Sequence, residues 1–530
     1  MTVQPSATDD RTESGEPAGV AAGQRPSTDV DPVDHPGRSD WFVRGLAELG
    51  GGPLGDHAVA REHARALWSR RFWSAARIVL ALTCLSLVLH YIQKSPCADG
   101  AWTDNLQYTR FCYSDVLALY YAEGLDRGQV PYLDHPVEYP VLTGVFMGIL
   151  GLPVYHLAQR YPEINQGQWA YHLNALVLCI LAVATVAMIL SVRRRRPWDA
   201  ALFALSPALI VTATVNWDFL AIALAMGGLW AWARRRPVLA GVLLGLGTAA
   251  KLWPGFLFIP LLFLALRARR LRPVLASVGV GIAACVAVNL PFMVLNYENW
   301  DRFIELNRER GVDWGTFWYI GNKLPLGGGE YGIYPFTWLA NNIPVLNPVT
   351  YILIILGWFG VGVLALSTKR RPRVAQLAFL VVAIFLIFNK VWSQQFVLWL
   401  LPLVVLARPR WGAFLAWQFA EVGYFVAFYG ELLGVTTGKA VFPEWVFVLA
   451  STLRLGTVVA LCVFVIRDMV RAEDDPVRQT YPEGDPDGGV LNDHPDGPGP
   501  DGDGPDRARG PAGREGADRP QLAAAAGRGG

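Results

Sequence analysis

The chain has 530 residues, of which 53% are hydrophobic and only 17% charged, and its formal net charge is +2. That balance excludes an assembly of soluble domains, because the apolar residues are gathered into long runs. The positive residues fall in short blocks between those runs, a pattern that reports membrane topology rather than nucleic-acid binding.

Residues 1–65 are rich in Gly, Pro, Asp, Ser and Arg and are expected to form a disordered tail. The opening MTVQPSATDD has no basic stretch followed at once by an apolar core, so no cleaved signal peptide is expected, and the first span serves as the insertion signal. Residues 66–471 carry the apolar runs. Those at 170–192, 274–295, 351–366 and 445–466 approach or reach the ~20 residues that cross ~30 Å of hydrocarbon as a helix. Nothing alternates with a period of two, and the helix is the other way to satisfy backbone polar groups in lipid, so the expected fold is an all-α polytopic membrane protein. Residues 472–530, richer still in Gly, Pro and Asp, are expected to be a second disordered tail.

Basic blocks stand at Arg70–Arg71, Arg193–Arg196, Arg234–Arg236, Arg267–Arg272, Lys369–Arg373, Arg408 with Arg410, and Arg467 with Arg471. If all face the cytoplasm, an even number of crossings separates each neighbouring pair. Between Arg71 and Arg193, however, there are three apolar runs, 73–92, 139–157 and 169–192. The middle one, YPVLTGVFMGILGLPVYHL, is interrupted by Gly and Pro and barely long enough, so it is read as a re-entrant or surface helix on the outer side. About twelve crossings remain, with both tails cytoplasmic.

The polar residues then collect at the outer ends of the spans. In the first outer loop, FCYSDVLALYYAEG places Asp115 at the start of an amphipathic helix carrying Tyr120 and Tyr121, and Glu138-Tyr139-Pro140 precedes the re-entrant helix. Each carboxylate also has a plainer reading, Asp115 as a helix cap and Glu138 as a first-turn charge. Asn216 and Asp218 open another span, and Lys251 stands between two apolar runs, where it either snorkels or holds a phosphate. Arg310 lies in a long outer stretch, and Lys390 and Gln395 lie near a span end. Cys97 and Cys112 share the first outer loop, where an oxidising compartment permits a disulfide. Glu421 and Arg454 sit at similar depth inside the last two spans, where they are expected to form a structural ion pair in preference to a transport site. No GK[ST] loop, HExxH, CxxC pair or GxSxG is present, and the eight histidines are scattered, so no metal or cofactor is expected.

Asp115 with Tyr120-Tyr121, the Glu138-Tyr139-Pro140 junction, NWDFLAIAL, LAGVLLGLGTAAKLWP and SQQFVLWLLPL together resemble the polyprenyl-phosphate-dependent membrane glycosyltransferases of the GT-C superfamily. The resemblance extends over residues 70–466 and is nearest to the bacterial α-mannosyltransferase branch that includes phosphatidylinositol-mannoside mannosyltransferases. Tyr139-Pro140-Val141 departs from that family's frequent Tyr-Pro-Pro. The resemblance implies a sugar donor, mannose in that branch, carried on a polyprenyl phosphate, and a glycolipid or envelope-glycan acceptor. It also implies inversion by a single displacement at the outer face of the cell membrane, with Asp115 as general base. By position, Lys251, Arg310 or Lys390 would steady the departing phosphate, and Tyr120, Tyr121, Glu138, Tyr139, Asn216, Asp218 and Gln395 would contact substrate. The rival readings are a lipid or solute transporter, which would place polar sites near the bilayer midplane, and a non-catalytic scaffold acting through its tails.

Overall fold

The computed structural model describes residues 40–43, 45, 74–327 and 330–492. Apart from one short hairpin, Pro325–Gly327 with Glu330–Tyr331, its regular structure is helical, as expected of an all-α membrane protein. The helices that position the site are α1 (Ala75–Lys94), α2 (Asp115–Ala122), α3 (Val141–Arg160), α4 (Gln166–Val192), α5 (Asp218–Ala233), α6 (Pro237–Ala250), α7 (Phe258–Arg267), α8 (Leu271–Leu295), α9 (Tyr297–Glu309), α10 (Ile343–Ser367), α11 (Val374–Phe388), α12 (Val397–Ala407), α13 (Trp411–Thr437) and α14 (Glu444–Val470). Among the described residues, six helices are long and apolar enough to cross a membrane, namely α1 with its 3₁₀ extension, α3, α4, α8, α10 and α14. Shorter apolar helices lie between them.

Small residues set the closest approaches. Gly241 and Gly245 of α6 face Ser277 and Gly281 of α8 so tightly that a Cβ on either glycine would sit 2.2 Å or 2.1 Å from a backbone oxygen of the partner. This is the small-xxx-small packing by which helices associate where lipid supplies no hydrophobic drive. Helix α3 is flanked along its length by the irregular segment before it: Tyr132 packs at Gly144, Pro131 at Gly148 and Leu125 at Gly151. Its N-terminal end is tied to α6 by the Thr143 hydroxyl, which donates to the Ala250 carbonyl at 2.6 Å.

The basic blocks after residue 190 gather at one end of the bundle, where the segment 472–492 crosses them. Arg193 forms a bidentate pair with Asp487 at 3.0 and 2.6 Å, and Arg373 pairs with Asp475 at 2.7 and 3.2 Å. Both guanidinium groups are fully buried. They also donate to the Leu406 and Ala407 carbonyls, so they satisfy acceptors that the C-terminus of α12 leaves without intrahelical partners. Gly489, at φ +57°, lies so close to the Trp232 carbonyl that a Cβ would be 2.1 Å from its oxygen. Residues 472–492, expected to begin the disordered tail, instead pack against the bundle. Composition reads these residues as disordered, but their acidic side chains are the counter-charges of buried arginines. At the other terminus, Asp40 accepts from the Trp411 amide at 2.9 Å. Apart from residues 40–43 and 45, the expected tail 1–65 lies outside the described residues, as do the Arg70–Arg71 block and residues 493–530.

Within the bundle, Arg454 and Glu421 form the expected pair at 2.9 Å. Arg454 is held between the rings of Trp392 and Tyr424, and it donates to the carbonyls of Trp392 and Ser393 at 2.9 Å each. A buried ion pair with its remaining protons satisfied in this way is a structural tie, and this one fixes the turn that leads into Gln395.

Candidate active site

At the end of the bundle opposite the basic blocks, two turns are pressed together around Asp115. The first is stiffened by the Cys97–Cys112 disulfide, with Cα atoms 5.6 Å apart, as the sequence permits. Lys94, at the end of α1, donates to the carbonyls of Phe111 and Tyr113 at 3.1 Å each. Ser114, rather than Asp115, caps α2: its hydroxyl accepts from the Val116 amide and donates to the Thr214 carbonyl at 2.7 Å. The plain cap reading of Asp115 therefore fails, because its neighbour already fills that role. The second turn is held by His90, whose Nδ1 lies 2.7 Å from the Ile210 carbonyl while Nε2 accepts from the Thr214 amide at 3.0 Å. That arrangement selects the Nδ1–H tautomer.

The two turns meet in a hydrogen bond from the Asp115 amide to the Val215 carbonyl at 2.7 Å. Asn216 then reaches the carboxylate: its Nδ2 donates to Asp115 Oδ2 at 2.8 Å and to the Tyr139 hydroxyl at 2.5 Å. Gln395 Nε2 stands 3.5 Å from the same oxygen, and Tyr113 adds a side-chain hydrogen bond. Burial nevertheless pushes the Asp115 carboxyl above its usual range, with the hydrogen bonds to Asn216 and Tyr113 working against it. A carboxylate of raised basicity, held at a fixed angle, is suited to accept a proton.

Lys251 lies deeper. Its Nζ is 2.9 Å from Asp218 Oδ1 and is surrounded by the rings of Tyr139, Phe396 and Trp399, with centroids 5.3 to 5.6 Å away. Trp399 Nε1 donates to the same Asp218 oxygen at 2.6 Å. Elsewhere among these groups, Lys390 Nζ donates to the Arg310 carbonyl and to Asn347 Oδ1, both at 2.6 Å. Lys390 has no carboxylate partner among the described residues. Burial, with the nearby Arg310 charge second, pulls its ammonium down to about 8.

These groups line one cavity of about 770 Å³. Of the residues singled out from sequence, Asp115, Glu138, Tyr139, Asn216, Lys251, Arg310, Lys390 and Gln395 all face it. Asp218 does not, since it is fully buried behind Lys251. Tyr120 and Tyr121 are also placed elsewhere. Five and six residues beyond Asp115, they turn away from it at 100° per residue. Tyr120 is buried with its hydroxyl on Gln166 at 3.1 Å, and the ring of Tyr121 packs at Gly100 and Gly167. Sequence reasoning missed Tyr113, Asn347, Phe396 and Trp399. Trp399 stands one helical turn after Gln395, and that spacing was legible; Asn347 carried no such signal.

No curated protein matches the chain. Residues 139–389, a stretch that begins at Tyr139, takes in Asn216, Lys251 and Arg310, and stops short of Asp115 on one side and Lys390 on the other, match the family model for glycosyltransferase family 87, and the match indicates a glycosyltransferase.

Proposed function

We propose that the protein transfers a sugar, mannose by the resemblance of its motifs, from a polyprenyl-phosphate donor to an acceptor hydroxyl, with inversion, at the outer face of the cell membrane. The observation that carries this reading is that one cavity is lined both by a buried carboxylate of raised basicity and by a lysine with no carboxylate partner among the described residues. Asp115 accepts the acceptor's hydroxyl proton while the acceptor oxygen bonds to the anomeric carbon. The bond from that carbon to the phosphate oxygen breaks, and its electron pair leaves with the phosphate.

Charge balance decides among the three candidate cations. Lys251 is already neutralised by Asp218 and Arg310 pairs with Asp313, whereas Lys390 is held by a carbonyl and an amide and keeps its charge for a ligand below about pH 8. Lys390, with Arg310 and the exposed Arg308 beside it, is therefore the phosphate pole, and Lys251 forms the floor against Asp115. The outward placement of the cavity rests on the gathering of the later basic blocks at the other end of the bundle. This one-ended clustering of polar groups also disfavours a transporter, which would carry them near the midplane.

The reading is tested with the purified full chain in nanodiscs, radiolabelled polyprenyl-phosphate mannose and a lipid extract from a strain lacking the protein. Label is expected to pass to acceptor, and Asp115→Asn is expected to stop it. A wild-type protein that leaves the donor intact, or a folded Asp115→Asn protein that transfers normally, would overturn the reading.

A further inference from the structure

At the end of the bundle that the basic blocks occupy, the turn between α7 and α8 is fastened to the C-terminus of α10. Arg267, the last residue of α7, donates to the Ala365 carbonyl at 2.8 Å and to the hydroxyl and carbonyl of Thr368 at 3.0 and 2.8 Å. It also reaches the Lys369 carbonyl at 3.2 Å. The junction therefore sets Arg269, Arg270 and Arg272, from the turn, beside Lys369 and Arg370, from the end of α10, and all five side chains are exposed.

These charges are not answered within the described molecule. At the same end, Arg193, Arg195, Arg373 and Arg408 each have a carboxylate partner. Arg269, Arg272, Lys369 and Arg370 have none among the described residues, and Arg270 reaches only the Val490 carbonyl, at 3.5 Å. The backbone of the turn gives a second sign. The Arg270 amide donates to the Ala265 carbonyl at 2.8 Å and the Arg269 amide to the Leu266 carbonyl at 3.2 Å, a closure that puts Arg269 at φ +52°. Glycine takes that left-handed position without steric cost, so an arginine there is held against local preference, and what it adds over glycine is its charge.

Below the cations the surface turns apolar. Helix α7 packs against both α8 and α10, and Leu266, Leu275, Val363 and Leu366, each 45% to 55% exposed, lie on these three helices near the junction. Because α8 and α10 are long and apolar enough to span a membrane, the cations at their ends stand at headgroup depth, above side chains that meet hydrocarbon. A guanidinium cluster matches a phosphate in charge and in hydrogen-bond geometry. The adjoining apolar flank selects a phosphate that carries hydrocarbon. Residues 493–506, DHPDGPGPDGDGPD, would supply carboxylates from the chain itself, but they hold no aliphatic side chain apart from proline and would leave that flank uncovered.

We infer that the α7–α8 turn and the end of α10 form a binding site for an anionic phospholipid, its phosphate among Arg269, Arg272, Lys369 and Arg370 and its acyl chains along α7 between α8 and α10. The site goes beyond the transferase reading and does not depend on it.

The test is native mass spectrometry of the purified, delipidated full chain with added phosphatidylglycerol, phosphatidylcholine or soluble glycerophosphoglycerol. Phosphatidylglycerol is expected to bind at least tenfold more tightly than either of the others. Joint substitution of Arg269, Arg272 and Arg370 by Gln should weaken it at least tenfold. Joint substitution of Arg194, Arg467 and Arg471 by Gln, which removes the same charge from exposed positions on other parts of this end, should leave it within twofold of wild type. Arg269→Gly, which suits the φ of that position and so folds in any event, should weaken it at least threefold. Equal losses in the two triple variants would reduce the effect to general surface charge and overturn the site. Equal binding of the soluble head would make it a plain anion site and overturn the lipid. Weak binding to wild type that rises tenfold when Asp493, Asp496, Asp501, Asp503 and Asp506 are all changed to Asn would name the chain's own tail as the occupant, and would overturn the lipid as well.

Discussion

Asp218 Oδ1 lies 2.9 Å from Lys251 Nζ, and the carboxylate that makes this contact is fully buried. Asp218 therefore cannot reach a substrate, and it acts by holding Lys251 at the floor of the cavity. Its second oxygen, Oδ2, has no hydrogen-bond partner among the described residues, so the pair is anchored from one side by Trp399 alone. Asp218→Asn retains the shape and the Trp399 contact but leaves Lys251 with an uncompensated buried charge. We expect it to lower the unfolding temperature and to reduce transfer, with Lys251→Met in the same background restoring stability but not activity. Restoration of neither would show that the pair has no structural coupling.

Asp115→Asn is expected to fold and insert as wild type while losing at least the ~10²-fold in kcat typical of an acid-base residue. Helix α2 keeps its Ser114 cap in this variant, so loss of rate cannot be assigned to loss of the helix. Since burial raises the Asp115 carboxyl, the base is lost to protonation at a higher pH than for an exposed carboxylate, and the acid limb of the kcat/KM profile should sit correspondingly high. A profile flat from the ordinary carboxylate range upward would contradict this.

Lys390 gives the opposite limb. Its ammonium, drawn down to about 8, binds an anionic donor below that pH and loses its charge as the pH rises through it. The donor KM should therefore climb above about pH 8 in wild type. Lys390→Arg, which stays protonated, should abolish the climb, and Lys390→Met should cost roughly 10²-fold in transfer. A donor KM independent of pH in the wild type would show that the phosphate sits elsewhere.

Helix α3 is long and apolar enough to span, whereas the parity of the basic blocks predicts that the chain returns to the side from which it set out. The irregular segment with Tyr132, Pro131 and Leu125 packed along α3 supports the return, because lipid-exposed loop backbone does not lie at membrane depth. Glu138→Cys and Asn165→Cys should both react with a membrane-impermeant maleimide on intact cells. Reaction of the second only after permeabilisation would make α3 a crossing.

The strap 472–492 should matter to stability rather than to turnover. Asp475→Ala leaves Arg373 buried without its nearer carboxylate, a loss worth about 3–5 kcal/mol for a broken buried pair. Thermal unfolding in detergent should reveal it, with the donor KM of the surviving protein unchanged. An unaltered transition would mean that Asp487, 3.9 Å away, and the Leu406 and Ala407 carbonyls suffice for Arg373.

The helical class, the apolar runs and the Glu421–Arg454 pair were all legible along the chain, because each follows from a local or one-dimensional rule. A helix must satisfy its own backbone in lipid, and a charge inside a span needs a partner at its own depth. Asp115 was legible too, as a carboxylate beginning a helix amid aromatic residues. The tertiary structure alone decided which polar residues share the cavity. Gln395 reaches Asp115 across 280 positions of sequence, and Asn347 reaches Lys390 from another helix. It alone turned Tyr120 and Tyr121 away, through the angle the helix imposes, and set Asp218 behind Lys251 rather than beside it. It also ordered residues 472–492, whose Gly, Pro and Asp composition reads as a tail. Composition cannot register that two buried arginines on distant helices are waiting for those carboxylates, since only the folded bundle brings Arg193 and Arg373 within reach of them.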